Sequence, residues 1–130
     1  MNPNANLELK TMAAVALKRP PRSVKAGEVI YHDGDSGNTL YGLLSGQIEL
    51  SKAGVCLETL GPGSCFGATA LVEQDHHRDA TATASADAEL LEMNREEFLF
   101  ALQELPMFAL ELVHDLENRL HRLKSRLSQA

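Results

Sequence analysis

The chain has only two cysteines, Cys56 and Cys65, and they form neither a C-x-x-C pair nor a zinc-ligand spacing. That excludes a disulfide framework and a cysteine-built metal site, and it fits a reducing compartment. Both thiols are expected to serve as small buried apolar side chains. Positive charge is scarce as well: 12 Lys and Arg face 18 Asp and Glu, for a formal net charge of -6. Such a balance opposes general affinity for DNA or anionic membranes, so any anion site must be local. No hydrophobic run approaches membrane-spanning length, and the opening MNPNANLELKTMAAVALKRPPR lacks the basic start and uncharged apolar stretch of an export signal. A cytoplasmic, non-membrane protein is expected. Signatures of catalysis are missing too, since there is no nucleophile in a glycine elbow, no paired-carboxylate motif and no Walker-type phosphate loop. The sequence therefore does not read as an enzyme.

What is present suits one domain spanning 1–130. Its 130 residues, 44% hydrophobic, suffice to close a single core. Leu7, Met12, Val15 and Ala16 fall at near-helical spacing, and Pro20 and Pro21 stop the pattern, which predicts a short helix over 7–17. From 24 to 94 the text changes to short β-rich runs (VIYH, TLYGLL, QIELSK, VCLETL, TATAS, AELLEM) divided by turn signals at DGDSG, SG, AG, GPG and the HHRD loop. Many short strands with frequent turns predict a mainly β fold, a small sandwich or roll. Over 95–130 the pattern is helical. Asn94 and Glu97 match a capping box, and Pro106 is placed to open a second helix.

That last helix carries the clearest periodicity. Ala109, Val113, Leu116, Leu120, Leu123 and Leu127 are spaced 4, 3, 4, 3 and 4 apart, while Asp115, Arg119 and other charges occupy different faces. The stripe could pack on the β-domain of its own chain. It stays narrow to the end, beyond what a small roll covers, so a parallel homodimer through 106–127 is the favoured reading.

Taken in order, VKAGEVIYHDGDSGNTLYGLLSGQIEL, the glycine-rich LGPGSCFG and AELLEMNREEFLFAL resemble the cyclic nucleotide-binding domain of catabolite-activator-type regulators, protein kinase A regulatory subunits and cyclic-nucleotide-gated channels. The resemblance implies a β-roll of the double-stranded jelly-roll type with flanking helices and a C-terminal dimerisation helix. It implies a cyclic nucleotide, cAMP or cGMP, or another small anion as ligand. It also places a phosphate-binding cassette at FGATALVEQDHHRDATA, with Phe66, Gly67, Ala68, Thr69, Ala70, Leu71, Arg78, Asp79 and Ala80 as site residues. The family pattern is roughly F-G-E-x-A-L, a variable stretch, then R-[TS]-A.

Two positions depart from it. Ala68 stands where the family's glutamate accepts a hydrogen bond from the ribose 2′-hydroxyl, a loss on the order of 1.5–3 kcal/mol, or roughly tenfold to a hundredfold in affinity. Asp79 replaces a hydroxyl donor to the phosphate. A carboxylate only accepts, and about 4 Å from another anion it adds about 4 kcal/mol of repulsion at an effective dielectric of 20. Asp79 is also a candidate partner for Arg78, filling the site from within.

Spacing from the cassette puts Leu123 where some relatives present a hydroxyl to the purine, and a leucine packs on a base without reading it. His76 and His77, with Glu73 and Asp75, are read as a solvated loop rather than a metal site. Because the sequence ends straight after the helical seam, where the transcription-factor branch would begin its helix-turn-helix, DNA binding by this chain alone is not expected. The reading is a non-catalytic homodimeric regulatory module with a degenerate cassette, acting through a protein partner. A ligand-independent dimeric scaffold is the alternative.

Overall fold

The computed structural model describes Met12 and residues 19–129. The helix expected over 7–17 lies outside them, save for Met12, which is helical and fully buried. Eight strands follow: β1 (Arg22–Val24), β2 (Val29–Tyr31), β3 (Thr39–Ser45), β4 (Ile48–Lys52), β5 (Val55–Leu60), β6 (Cys65–Phe66), β7 (Thr81–Ala84) and β8 (Ala88–Asn94). Helix α1 (Thr69–Val72) sits between β6 and β7, and α2 (Arg95–Glu104) and α3 (Pro106–Ser128) follow the last strand. All six β-rich runs are strands. The additions, β1 and β6, are three and two residues long, too short to show a period.

The strands form two antiparallel four-stranded sheets, ordered β1-β8-β3-β6 and β2-β7-β4-β5. Side-chain alternation decides their surroundings. In β3, Tyr41 and Leu43 point into the core between the sheets, while Leu40 joins the core beneath the helices. β8 divides likewise, with Ala88 and Leu90 inward and Leu91 and Met93 toward the helices. The first sheet is thus covered on both faces. The second sheet is covered on one: Ile48 and Leu50 of β4 lie opposite Ala84 and Ala82 of β7, large against small, and the intervening Glu49 and Thr83 are paired on the other face.

Helix α2 begins where the sequence places it. The Asn94 side chain accepts from the Glu97 N–H at 2.9 Å, and the Glu97 carboxylate accepts from the Asn94 N–H at 3.0 Å, which satisfies two amides that would otherwise lack partners. Asn94→Ala should therefore cost about 1 kcal/mol, seen as a lower urea midpoint with an unchanged denaturant slope. An unchanged midpoint would show that the cap is dispensable.

Pro106 opens α3, whose roll-facing stripe is Phe108, Leu112 and Asp115, all buried. Phe108 meets Phe98 of α2 edge-on at 6.2 Å. The heptad seam lies on a different side: Val113, Leu116, Leu120 and Leu127 are 56%, 42%, 43% and 77% exposed. The helix does pack on its own roll, but through a second stripe that leaves four of the six seam residues exposed and Ala109 and Leu123 half-buried.

Cys65 is buried as expected, whereas Cys56 is exposed. The reason is strand register: Cys56 pairs with Ser51 next to an irregularity in the β4–β5 ladder, and Val55, Cys56 and Leu57 all stand clear of the core.

Candidate functional site

A cavity of about 160 Å³ lies between the β4–β5 hairpin, the turn from β6 into α1, and α3. Apolar side chains such as Leu50, Phe66 and Leu112 form its body, and the polar groups gather at two ends.

At the first end the chain passes from β6 through Gly67 into α1, with Ala68 as N-cap and no side-chain cap hydrogen bond. Gly67 has φ +90°, a conformation suited to glycine, and a Cβ there would come within 2.7 Å of the Arg78 Nη1. A Cβ on Gly37 would come within 2.3 Å of Arg78 Nε. The two glycines form a slot for this guanidinium.

The Arg78 backbone is fixed on both sides. Its N–H donates to Asp35 O at 2.7 Å, and its carbonyl accepts from the Gly34 N–H at 2.8 Å, pinning it to the β2–β3 loop. The side chain is 5% exposed, donates from Nη1 to Gly67 O at 2.8 Å, and lies 4.2 Å over the Tyr31 ring and 5.7 Å from that of Tyr41. Tyr41 stacks in turn on Phe66 at 5.2 Å. Burial pushes the Tyr31 hydroxyl up to about 12 and raises that of Tyr41, so both rings are neutral at ordinary pH. Arg78 Nε is buried without a hydrogen-bond partner, and among the described residues Arg78 makes no ion pair.

Asp79 does not take Arg78 as its partner. Its Oδ2 accepts from Thr69 Oγ1 at 3.2 Å, and its carbonyl accepts from Lys52 Nζ at 3.1 Å. Successive side chains diverge here, so Asp79 and Thr69 line the cavity while the guanidinium lies in its glycine slot. Tyr31 and Tyr41 are the buried bed of that slot.

The second end is an ion-pair network. Arg119 of α3 donates to both oxygens of Glu58 on β5, from Nε at 2.8 Å and from Nη2 at 3.0 Å. Its Nη1 reaches Cys65 O at 2.6 Å and Asp115 Oδ2 at 3.4 Å. Asp115 accepts in addition from Ser64 Oγ and the Cys65 N–H, each at 3.2 Å. Burial alone would lower the Arg119 pKa, but the hydrogen bonds and charges of Glu58 and Asp115 outweigh it and hold the value raised. This network ties α3 to β5 and β6.

Of the residues expected at the site, Phe66, Gly67, Ala68, Thr69, Asp79 and Ala80 line the cavity. Leu71 belongs to the core beneath the helices, Ala70 is fully buried, and Arg78 sits behind the cavity wall. Leu123 also lies outside: α3 borders the cavity with Leu112, Leu116 and Arg119, and beyond them its final turns run mostly exposed. His76 and His77 are exposed, with His76 Nδ1 2.9 Å from Ala70 O, and no cluster of metal-ligating side chains occurs among the described residues. Sequence reading missed Glu58, Asp115 and Arg119 as site groups. A signal did exist, because Phe108, Leu112, Asp115 and Arg119 repeat the 4, 3, 4 spacing of a packed helix face.

The cyclic nucleotide-binding domain model matches residues 21–104. The chain is 36% identical over 99 residues to the cyclic AMP receptor protein of Thermus thermophilus, covering 72% of this chain and 45% of that protein. It is 33% identical over 93 residues to a cAMP-dependent protein kinase regulatory subunit of Yarrowia lipolytica, covering 72% and 24%. The chain thus spans less than half the length of these two relatives. A solved structure described as "A cyclic-GMP-dependent signalling pathway regulates bacterial phytopathogenesis" superposes with a TM-score of 0.71 at 28% identity, covering 96% of this chain and 95% of that one. No helix among the described residues is long and apolar enough to cross a membrane. With the two-sheet roll, the cassette turn and the family match in agreement, the chain belongs to the cyclic nucleotide-binding domain family.

Proposed function

We propose that the chain is a non-catalytic, homodimeric regulatory module that holds a cyclic nucleotide weakly in an altered cassette and signals through a protein partner. The observation that carries this reading is Arg78: a buried guanidinium with an unpartnered Nε and no ion pair among the described residues. A buried guanidinium held only by a carbonyl and two ring faces lacks an anionic partner, and a ligand anion that reaches it once the Gly67 turn gives way would supply one. Ala68 and Asp79 argue that the hold is weak, since one supplies no acceptor and the other is a carboxylate hydrogen-bonded by Thr69 at the cavity wall. The named relatives include a cyclic AMP receptor, a cAMP-dependent kinase subunit and a structure from a cyclic-GMP-dependent pathway. Both purine nucleotides are therefore the ligands to test.

The exposed seam on α3 supports the dimer, because a continuous apolar stripe on one long helix seeks a partner. With acidic residues in excess, output through a protein is favoured over direct contact with DNA.

Calorimetry with cyclic AMP and cyclic GMP tests the ligand. Sub-millimolar binding is expected, and Arg78→Ala should weaken it roughly tenfold to a hundredfold, the value of a charge-assisted hydrogen bond. Silence with both nucleotides to millimolar concentration, or a variant with wild-type affinity, would sink the reading. A second reading, a ligand-independent scaffold, is favoured by one observation: the Glu58–Arg119–Asp115 network already fastens α3 to the roll. On that reading Arg78→Ala leaves partner binding unchanged.

A further inference from the structure

We propose that Glu58 selects the base of the ligand, and that the base it selects is guanine. The inference rests on the proposed function, since it concerns the end of the cavity away from the cassette turn.

Glu58 is held from α3 by Arg119. Its two carboxylate oxygens receive a planar two-donor fork, Nε–H and Nη2–H of Arg119, at 2.8 and 3.0 Å. Glu58 and Arg119 both line the cavity, and their side chains are 14% and 11% exposed. A carboxylate in this setting is specific for two parallel donors on one flat group. Guanine carries such a group: its N1–H and N2–H lie side by side on an N–C–N unit with the geometry of a guanidinium edge. Adenine presents a bare N1 acceptor at the corresponding place, which a carboxylate repels.

The size of the cavity supports an exchange rather than an addition. At about 160 Å³ it is smaller than the roughly 300–1,000 Å³ typical of sites for nucleotide-sized ligands, so α3 must give way for a ligand to enter. As Arg119 leaves Glu58, the guanine edge takes its place on the same two oxygens. Arg119 keeps Asp115 as an anionic partner on its own helix, 3.4 Å away, and the two guanine N–H groups keep both Glu58 oxygens hydrogen-bonded. No proton moves and no covalent bond changes. Base recognition and release of the helix become one event, which cyclic AMP cannot complete.

Calorimetric titration of the wild-type protein with cyclic GMP, cyclic IMP and cyclic AMP tests this without any substitution. Cyclic GMP is expected to bind roughly tenfold to a hundredfold tighter than cyclic AMP, with cyclic IMP, which lacks the 2-amino group, in between. Glu58→Gln, checked for folding by its melting curve, should erase most of the ratio between cyclic GMP and cyclic AMP affinity. Equal affinities for the three nucleotides, or a Glu58→Gln effect shared equally by cyclic GMP and cyclic AMP, would overturn the role of Glu58 while leaving the proposed function standing. No binding of any nucleotide to millimolar concentration overturns both.

Discussion

Arg119→Ala should lower the free energy of unfolding by about 3–5 kcal/mol, the usual result of removing one member of a buried ion pair. The side chain is 11% exposed, and its loss leaves Glu58, 14% exposed, without the cation on which both its oxygens depend. Asp115, 9% exposed, retains the Ser64 hydroxyl and the Cys65 N–H but loses its positive neighbour. The Cys65 carbonyl also gives up a 2.6 Å hydrogen bond. Small domains are stable by only about 5–15 kcal/mol, so roughly a fifth or more of the total is at stake. Urea denaturation followed by circular dichroism measures the effect. A loss below about 1 kcal/mol would mean that the network behaves as a solvated surface pair. The double change Glu58→Leu with Arg119→Met should recover part of the loss, because replacing both charges by apolar groups removes the desolvation cost along with the attraction.

Leu116→Lys combined with Leu120→Lys should abolish the proposed homodimer at every practical concentration. Each leucine is about two-fifths exposed on the isolated chain. Its burial contributes on the order of 1–2 kcal/mol, so four leucines across a symmetric pair contribute roughly 4–8 kcal/mol. That corresponds to at least about a thousandfold in association constant before the repulsion of four added lysines is counted. Sedimentation velocity distinguishes the outcomes directly. Because both leucines are exposed and neither belongs to a buried core cluster, the variant should keep its circular dichroism spectrum; an unchanged sedimenting mass would show that the seam is not the dimer contact.

The legibility of the molecule from its sequence follows the range of the interactions involved. The capping box at Asn94 and Glu97, the start at Pro106 and the six β-rich runs are local patterns, and each occurs where the sequence places it. The roll was legible too, through the ordered turns and the resemblance they carry. β6 was not, since a two-residue strand acquires its identity only by pairing Cys65 and Phe66 with Gly42 and Tyr41. At the cavity the same division holds. The cassette turn could be placed by motif, but the direction of Arg78 could not, because it depends on the β2–β3 loop and on space left by Gly37. Asp115 and Arg119 were assigned to polar faces of α3 by their charge. Their burial depends on Glu58, 61 residues from Arg119 in the chain, and on Ser64, 51 from Asp115. No single-helix pattern contains those partners.

Leu116 belongs to two surfaces at once, the wall of the cavity and the exposed seam of α3. Arg119 stands less than one helical turn from it on the same rod. Input and output are therefore machined on a single shaft, with no hinge, loop or intermediate gear between them. In the proposed dimer, a ligand that shifts this shaft also repositions the contact between two copies, and thermodynamic reciprocity requires that pairing of the copies alter the hold on the ligand by the same factor.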